Sequence, residues 1–419
     1  MLYERWAKVA AARRKEFALR DTSSGQRWTF GELFEAGEAQ AVVAGDFAQP
    51  QGQGAGFVLA LLGAWRGRKI VCPLEPGQSL PAIPKPPPNC VHLKATSATT
   101  GMARTIVFTG DQLAADAENI VKTMGLRPDW PNLGVISMAH SYGFSNLVLP
   151  LLLHGIPLVL VPAPLPETLL QAARGEAALT LPAVPAMWRA WYEAKSIPPN
   201  VRLAISAGAP LPLEIERAVF ASCGLKIHNF YGSSECGGIA YDAGEGPRDD
   251  DACVGAPMRG VSLSADEDGR LVVRSDAVGE TYWPDADGTL GAGRFQTSDL
   301  VELKDGLVFL HGRTSDIINV AGRKVSPLTI ERALVEHPAV GACLVFGAPG
   351  RDAGRAEDIV ACVVSREPVA GEVLKQFMLE RIPAWQLPRE WWFVDSLEPN
   401  SRGKISRAEW RQRYLESRR

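Results

Sequence analysis

The sequence predicts an α/β protein with a large N-terminal domain of mostly parallel, helix-covered sheets, a β-hairpin-rich subdomain and a small α+β C-terminal domain. Three observations predict this fold class. Strands and helices alternate up to about residue 230, hairpin turns replace that alternation from about residue 254, and a mixed pattern follows residue 313. The 419 residues are also enough for two or three domains.

The alternation is clearest between residues 201 and 230. Residues 201–206 are predicted to form a strand, residues 212–222 a helix with Ile215 and Val219 on one face, and residues 225–230 the next strand. Gly224 is placed to end the helix. A strand–helix–strand unit of this kind implies parallel pairing within a sheet that is covered by helices.

The hairpins and the C-terminal pattern set the domain boundary. Residues 271–275 follow an Asp-Glu-Asp-Gly turn, and residues 299–304 are predicted to pair with residues 307–311 around Asp305-Gly306. Beyond them we predict a helix at 328–336, strands at 340–346 and 358–364, a helix at 371–382 and a strand at 391–394. We therefore assign residues 1–312 to the N-terminal domain and residues 313–419 to the C-terminal domain.

Composition excludes several classes of protein. A net charge of −3 gives no reason to expect nucleic acid as a partner. Seven scattered cysteines without a Cys-x-x-Cys pair argue against a disulfide framework or a zinc site and for a reducing cytoplasm. No signal peptide is indicated at the N-terminus. His154, Gly155 and Pro157 interrupt the most apolar stretch, residues 144–161, which predicts a buried helix, a glycine stop and a buried strand without stable membrane insertion.

A hydroxyl-rich loop is the first candidate site. It spans residues 96–104 and offers hydrogen-bond donors, a glycine for close backbone approach and a permanent cation, which together suit a polyphosphate. Its contributing residues are Thr96, Ser97, Thr99, Thr100, Gly101 and Arg104. The loop is not a Walker A loop, because it contains no Gly-Lys-Ser/Thr, and taken alone it would suit a plain solvated turn better than a phosphate site.

Four further motifs follow the loop. Residues 229–235 end the strand of the βαβ unit with an aromatic ring that can stack on a base and with Glu235, which can hold Mg²⁺. Asp299 begins a hairpin strand, where its carboxylate can accept hydrogen bonds from a ribose diol. Arg313 and Lys324 stand at the two ends of a linker, and Lys404 lies on a tight loop framed by proline and glycine.

In the order of these motifs, over residues 96–407, the chain resembles the adenylate-forming superfamily of acyl-CoA synthetases, peptide-synthetase adenylation domains and luciferases. The resemblance implies that the hydroxyl loop holds the β- and γ-phosphates, that Arg104, Glu235 and Lys404 are catalytic, that Glu235 binds the metal, and that the C-terminal domain is mobile. It implies a nucleotide site formed with the loop by Gly208, Ala209, Pro210, Asn229, Phe230, Tyr231, Gly232, Ser234, Asp299, Arg313 and Lys324. It implies an acyl site at His140, Tyr142, Gly143, Ala207 and Gly238.

Two of these assignments carry further expectations. The small residues Ala207, Gly208, Gly237 and Gly238 are expected to leave room for an acyl chain or ring. His140 is interpreted as a gate or a neighbour of the substrate carboxylate, and a hydrogen-bonded buried histidine is an equal alternative.

The resemblance implies ATP-dependent activation of a carboxylic acid, fatty or aryl, to acyl-AMP, with transfer to a thiol. ATP, Mg²⁺ and CoA would be the cofactors, and the phosphopantetheine arm of a separate acyl carrier protein is the alternative acceptor. A degenerate nucleotide-binding paralogue with little or no ligase activity is the competing hypothesis. Three departures from the family pattern motivate it: most members carry Gly where Ala98 stands and Lys where Arg104 stands, and many carry a hinge aspartate where Ser315 stands. The part of the chain before residue 96 also looks shortened.

Overall fold

The central sheet organises the N-terminal part. The computed structural model describes residues 1–79, 84–95, 105–350, 357–398 and 405–418. Within these residues the largest sheet has nine strands, and its six central strands are parallel. In spatial order they are β13 (Ala256–Pro257), β12 (Gly237–Tyr241), β11 (Ile227–Ser233), β10 (Val201–Ser206), β9 (Leu179–Ala183), β7 (Asn132–Gly134), β8 (Leu158–Leu160), β1 (Phe17–Asp21) and β2 (Arg27–Thr29). The predicted βαβ unit is confirmed, since α9 (Leu213–Cys223) joins the parallel neighbours β10 and β11.

The N-terminal part contains two further sheets of five strands each. The first orders β16 (Thr281–Trp283), β6 (Thr105–Phe108), β5 (His92–Ala95), β4 (Ile70–Val71) and β3 (Phe47–Ala48). The second is antiparallel and contains β14 (Ser262–Ala265), β15 (Arg270–Arg274), β18 (Arg294–Lys304), β17 (Leu290–Gly291) and β19 (Leu307–Arg313). The predicted hairpin is confirmed: Lys304 pairs with Leu307, and Asp305 and Gly306 both have positive φ, as a two-residue type I′ turn requires.

Helices pack on these sheets through a common apolar core. Besides α9, they are α1 (Leu2–Ala12), α2 (Phe30–Glu38), α3 (Ala55–Arg66), α4 (Gly110–Met124), α5 (Ser141–Gly143), α6 (Leu149–His154), α7 (Pro166–Ala173) and α8 (Pro185–Glu193). A π-helical turn, Phe144–Val148, joins α5 to α6, and Gly155 ends α6 with a φ of 69° before the buried strand β8. The predicted helix, glycine stop and strand are thus confirmed, and none of the described helices is long and apolar enough to span a bilayer.

The C-terminal part has its own core. It contains the hairpin β20 (Ile318–Val320) and β21 (Arg323–Val325), a sheet of β22 (Val340–Pro349), β23 (Glu357–Ser365) and β24 (Glu390–Phe393), and helices α10 (Pro327–Val335), α11 (Gly371–Leu379) and α12 (Arg407–Ser417). The N-terminal core extends to Val308, whereas the next core begins at Ile318. The predicted boundary at residues 312–313 falls between these cores and stays a prediction.

Candidate active site

The first part of the site lies where β10 and β11 end. Because the two strands are parallel, their carboxyl ends meet at one edge of the sheet, and Ser206 pairs with Asn229 in the register. Gly208 adopts a φ of 87°, which turns the exposed segment 208–210 away from β10. Asn229 is buried, and its amide donates to the carbonyl of Cys253 at 3.4 Å. The predicted adenine-binding segments are therefore neighbours.

Asp299 connects three strands of the site. It pairs with Arg313 across the β18–β19 hairpin, and Arg313 Nε donates to Asp299 Oδ1 at 2.8 Å. The phenol of Tyr231, on β11, donates to the other carboxylate oxygen of Asp299. The negative charge of Asp299 raises the pKa of Arg313, whereas burial and then Asp299 raise the pKa of Tyr231. Sequence reasoning assigned these residues singly and did not predict that they touch.

Glu235 lies on the tight turn between β11 and β12. Its backbone N–H donates to Ser233 Oγ at 3.2 Å, and its carbonyl accepts from the N–H of Gly279 at 2.8 Å. Tyr282 donates its phenolic proton to Glu235 Oε1 at 3.1 Å. These contacts fix both the backbone and the carboxylate, while Ser234 Oγ lies 3.1 Å from Ser141 Oγ.

A cavity of about 280 Å³ opens beside this carboxylate. Its walls carry the hydroxyls, amide and cation of Tyr282, Thr289, Gln296, Thr297, Ser298, Thr314 and Arg270. Among the described residues no group of three or more His, Cys, Asp or Glu side chains could hold a metal ion by itself. Magnesium is commonly held by one or two carboxylates together with phosphate oxygens and water, and Glu235 has the one carboxylate that such an arrangement needs.

The acyl segment contains a polar cluster that sequence reasoning missed. His140 Nε2 lies 3.1 Å from Glu75 Oε1, and Ser137 Oγ donates to the same carboxylate. Glu75 follows β4, far from His140 in the chain, and nothing local in the sequence marks it. His140 is 43% exposed in its side chain, so the alternative of a buried histidine is wrong. Tyr142 is partly buried and donates to the carbonyl of Ala183 at 3.3 Å, and burial raises its pKa.

Close packing explains the glycines at positions 143, 237 and 238, in and beside the predicted acyl site. A Cβ on Gly238 would overlap Met258 Sδ and would lie 3.1 Å from the Phe230 ring. A Cβ on Gly237 would overlap the carboxylate of Asp116, and one on Gly143 would overlap the Ser137 carbonyl. The expectation that Gly237 and Gly238 leave room for an acyl group is therefore wrong, because neighbouring side chains fill that space. Ala207 is also buried.

Several candidate residues lie outside the described residues. They are Thr96, Ser97, Ala98, Thr99, Thr100, Gly101, Arg104 and Lys404, so the hydroxyl loop and the lysine stay predictions from the sequence. Lys324 is exposed on β21, and within the described ranges no hydrogen bond or ion pair joins it to Asp299 or Glu235. Arg407, which follows Lys404 by three residues, donates to Asp316 at 2.9 Å and to Glu331 at 2.6 Å.

Two family models match the chain. The sequence profile of the family described as AMP-binding enzyme matches residues 75–283, and that of the AMP-binding enzyme C-terminal domain matches residues 329–404. Together the two profiles match about two thirds of the chain.

Two curated relatives and one solved structure illustrate the similarity. The 4-hydroxybenzoate–CoA/benzoate–CoA ligase of Rhodopseudomonas palustris is 28% identical over 350 residues, which are 78% of this chain and 64% of the relative. The mitochondrial malonate–CoA ligase of Xenopus laevis is 26% identical over 365 residues, with 74% and 63% covered. ATP-bound MatB from Rhodopseudomonas palustris shares the fold at a TM-score of 0.87 and 19% identity, with 100% of both chains covered. The chain thus spans just under two thirds of the length of these curated relatives. Nothing in the comparisons supports the hypothesis of a degenerate paralogue.

Proposed function

We propose that this chain, which belongs to the adenylate-forming superfamily of acyl-CoA synthetases and their relatives, activates a carboxylic acid with ATP and transfers the acyl group to a thiol. The observation that carries the proposal is the contact of Tyr231 and Arg313 with Asp299. Tyr231 of this group lies on β11, and Glu235 lies on the turn that follows the same strand. A nucleoside and its phosphates require such a pair of anchors.

Asp299 is the proposed anchor for the ribose. Each carboxylate oxygen has two lone pairs, so accepting one bond from Arg313 and one from Tyr231 leaves acceptor sites for a ribose diol. Arg313 holds the carboxylate in place. Residues 208–210 and 229–231 would enclose the adenine base, with the Tyr231 ring available for stacking.

Glu235 is the residue that we propose to hold Mg²⁺, which would neutralise part of the triphosphate charge when bound. The hydrogen bond from Tyr282 directs the Glu235 carboxylate, and the bond from Gly279 fixes its backbone. The resemblance adds the hydroxyl loop and Arg104 around the β- and γ-phosphates.

The proposed reaction has two steps. An oxygen of the substrate carboxylate attacks the α-phosphorus, the bond to the β-phosphate oxygen breaks, and pyrophosphate leaves with acyl-AMP remaining. The sulfur of a thiolate next attacks the acyl carbonyl, the bond to the phosphate oxygen breaks, and AMP leaves. Lys404 would neutralise charge between carboxylate and triphosphate in the first step. His140, oriented by Glu75, stands in the segment proposed to face the acid.

Fatty and aryl acids are the proposed substrates, and CoA is the proposed acceptor, with a phosphopantetheinyl carrier protein as the second choice. The name of the benzoate–CoA ligase relative supports an aryl acid and CoA. All seven cysteines are free, which supports a reducing compartment, and we propose the cytoplasm.

Pyrophosphate exchange tests this proposal. Purified protein with ATP, Mg²⁺ and labelled pyrophosphate is expected to form labelled ATP only when a suitable acid is present, and the panel should include benzoate, 4-hydroxybenzoate, malonate, octanoate and palmitate. Addition of CoA or of a phosphopantetheinylated carrier protein then identifies the acceptor from the thioester formed. A folded protein that binds ATP but exchanges with none of these acids would contradict the proposed activity and favour the degenerate paralogue.

A further inference from the structure

Two opposite charges are buried beneath the turn that carries Glu235. Lys94 lies on β5 and is 5% exposed, and Asp116 lies on α4 and is 2% exposed. Buried charges destabilise a fold unless they are paired or hydrogen-bonded. Both side chains therefore need stabilising neighbours, and the steps proposed above use neither.

Asp116 contacts the backbone of the turn directly. Its Oδ1 accepts from the N–H of Gly238 at 3.2 Å, and its Oδ2 accepts from Ser145 Oγ at 2.6 Å. The carboxylate lies so close to the turn that a Cβ on Gly237 would overlap it. Since Gly237 and Gly238 follow Glu235 by two and three residues, Asp116 defines where the turn ends.

Lys94 supplies the opposite charge. Its ammonium makes no hydrogen bond with a described residue and lies 4.4 Å from the centre of the Phe108 ring. Burial lowers the pKa of Lys94, and the negative charge of Asp116 is the main influence that opposes this shift, followed by Cys236 and Glu235. The Phe108 ring also packs against Gly279, since a Cβ built there would lie 3.2 Å from it, and the N–H of Gly279 donates to the carbonyl of Glu235 at 2.8 Å, so one ring separates Lys94 from the Glu235 turn.

We propose that Lys94 and Asp116 act as a pair of positioning residues that hold the Glu235 turn in the geometry needed to bind a metal–ATP complex. The proposal rests on the proposed function of Glu235. Asp116 fixes the backbone through Gly238, and Lys94 balances the charge of Asp116 beneath the turn. Neither residue touches the reacting atoms.

Three variants separate positioning from general stability. Asp116→Asn and Lys94→Met each remove one charge while keeping the size of the side chain, and the double variant removes both. The matched control is Lys226→Met, since Lys226 is equally buried in ion pairs with Glu216 and Asp242 but lies at the far end of β11 from Glu235. Binding of Mn²⁺ in the presence of ATP is titrated on the full chain by electron paramagnetic resonance, well below each variant's thermal midpoint.

Each single variant is expected to bind Mn²⁺·ATP roughly tenfold more weakly, and the double variant is expected to recover most of that loss, because it leaves no buried charge without its partner. Lys226→Met is expected to lower the thermal midpoint and to leave Mn²⁺·ATP binding unchanged. Unchanged binding in both single variants, or losses that add in the double variant, would overturn the proposal. Because this readout needs no turnover, wild-type protein that binds Mn²⁺·ATP but exchanges no pyrophosphate would contradict the proposed activity while the variants still test the pair.

Discussion

At the scale of single residues, Asp299 is the acceptor at which three strands meet. Tyr231 reaches it from β11, and Arg313 reaches it across the β18–β19 hairpin. The aspartate could be predicted as a ribose ligand because it begins a hairpin strand in order with the other motifs. Its contact with Tyr231 could not be predicted, since it joins residues 68 positions apart.

Replacing Asp299 with asparagine should weaken nucleotide binding. The variant keeps the shape of the side chain but loses the charge that strengthens the bonds to Arg313 and to the ribose, so the dissociation constant for AMP should rise roughly 10- to 100-fold. Isothermal titration calorimetry measures it. Glu302→Gln is the control on the same strand. Glu302 is exposed, and its carboxylate lies 3.3 Å from Nε2 of His311, a residue with no proposed part in nucleotide binding. Equal affinities of the two variants for AMP would refute the assignment.

A second residue-scale prediction concerns stability in acid. His92 is buried between the rings of Phe108 and Phe144, and burial, with the charge of Lys94, lowers its pKa well below the ordinary value. The unfolded chain therefore binds a proton first as the pH falls below about 6.5. The stability associated with neutral His92 is complete above that pH and is lost as the pH falls towards the folded pKa.

The variant His92→Phe should accordingly lose less stability in acid. Between pH 7.5 and pH 5 its free energy of unfolding should fall by about 1–2 kcal/mol less than that of the wild type, because one pKa unit corresponds to about 1.4 kcal/mol. Urea denaturation at the two pH values measures the difference. Parallel losses in both proteins would show that His92 is protonated equally in the folded and unfolded states.

At the scale of elements, patterns of hydrophobic and turn residues predicted the βαβ unit and the Asp305-Gly306 hairpin because both depend on neighbours in the chain. The π-helical turn Phe144–Val148 was not predicted, since its apolar residues show no period that separates it from an α-helix. The bonds of Glu75 to His140 and of Asp116 to Gly238 were also missed, because they depend on how distant elements pack.

Glycine substitutions test the close packing of these elements. Gly143 lies in α5, and its alanine variant would overlap the backbone carbonyl of Ser137, which has little freedom to move. Gly143→Ala should therefore lower the free energy of unfolding by about 2–3 kcal/mol. In Gly110→Ala the new methyl would lie 3.5 Å from Leu2, an ordinary contact, and stability should be unchanged or slightly higher. Chemical denaturation compares them, and a Gly143→Ala protein within about 0.5 kcal/mol of wild type would disprove the packing argument.

At the scale of the whole molecule, the candidate site draws on elements from several parts of the chain. Glu235 and Tyr231 come from the central sheet and its turn, Tyr282 from the sheet that contains β16 and β6, and Asp299 from the antiparallel hairpin sheet. The order of motifs assigned Tyr231, Glu235 and Asp299 to one nucleotide site, because the resemblance covers residues 96–407 as a set, but it did not predict Tyr282. The described geometry supports a nucleotide site assembled from these sheets, and the hydroxyl loop and Lys404 are proposed to complete it.

The most direct test of adenylation follows the oxygen atoms of the substrate. The acid that supports pyrophosphate exchange is supplied with ¹⁸O in both carboxylate oxygens, together with ATP, Mg²⁺ and CoA, and the products are analysed by mass spectrometry. Attack on the α-phosphorus predicts AMP carrying one ¹⁸O and pyrophosphate carrying none. Label in inorganic phosphate with formation of ADP, or AMP without label, would contradict an acyl-AMP intermediate.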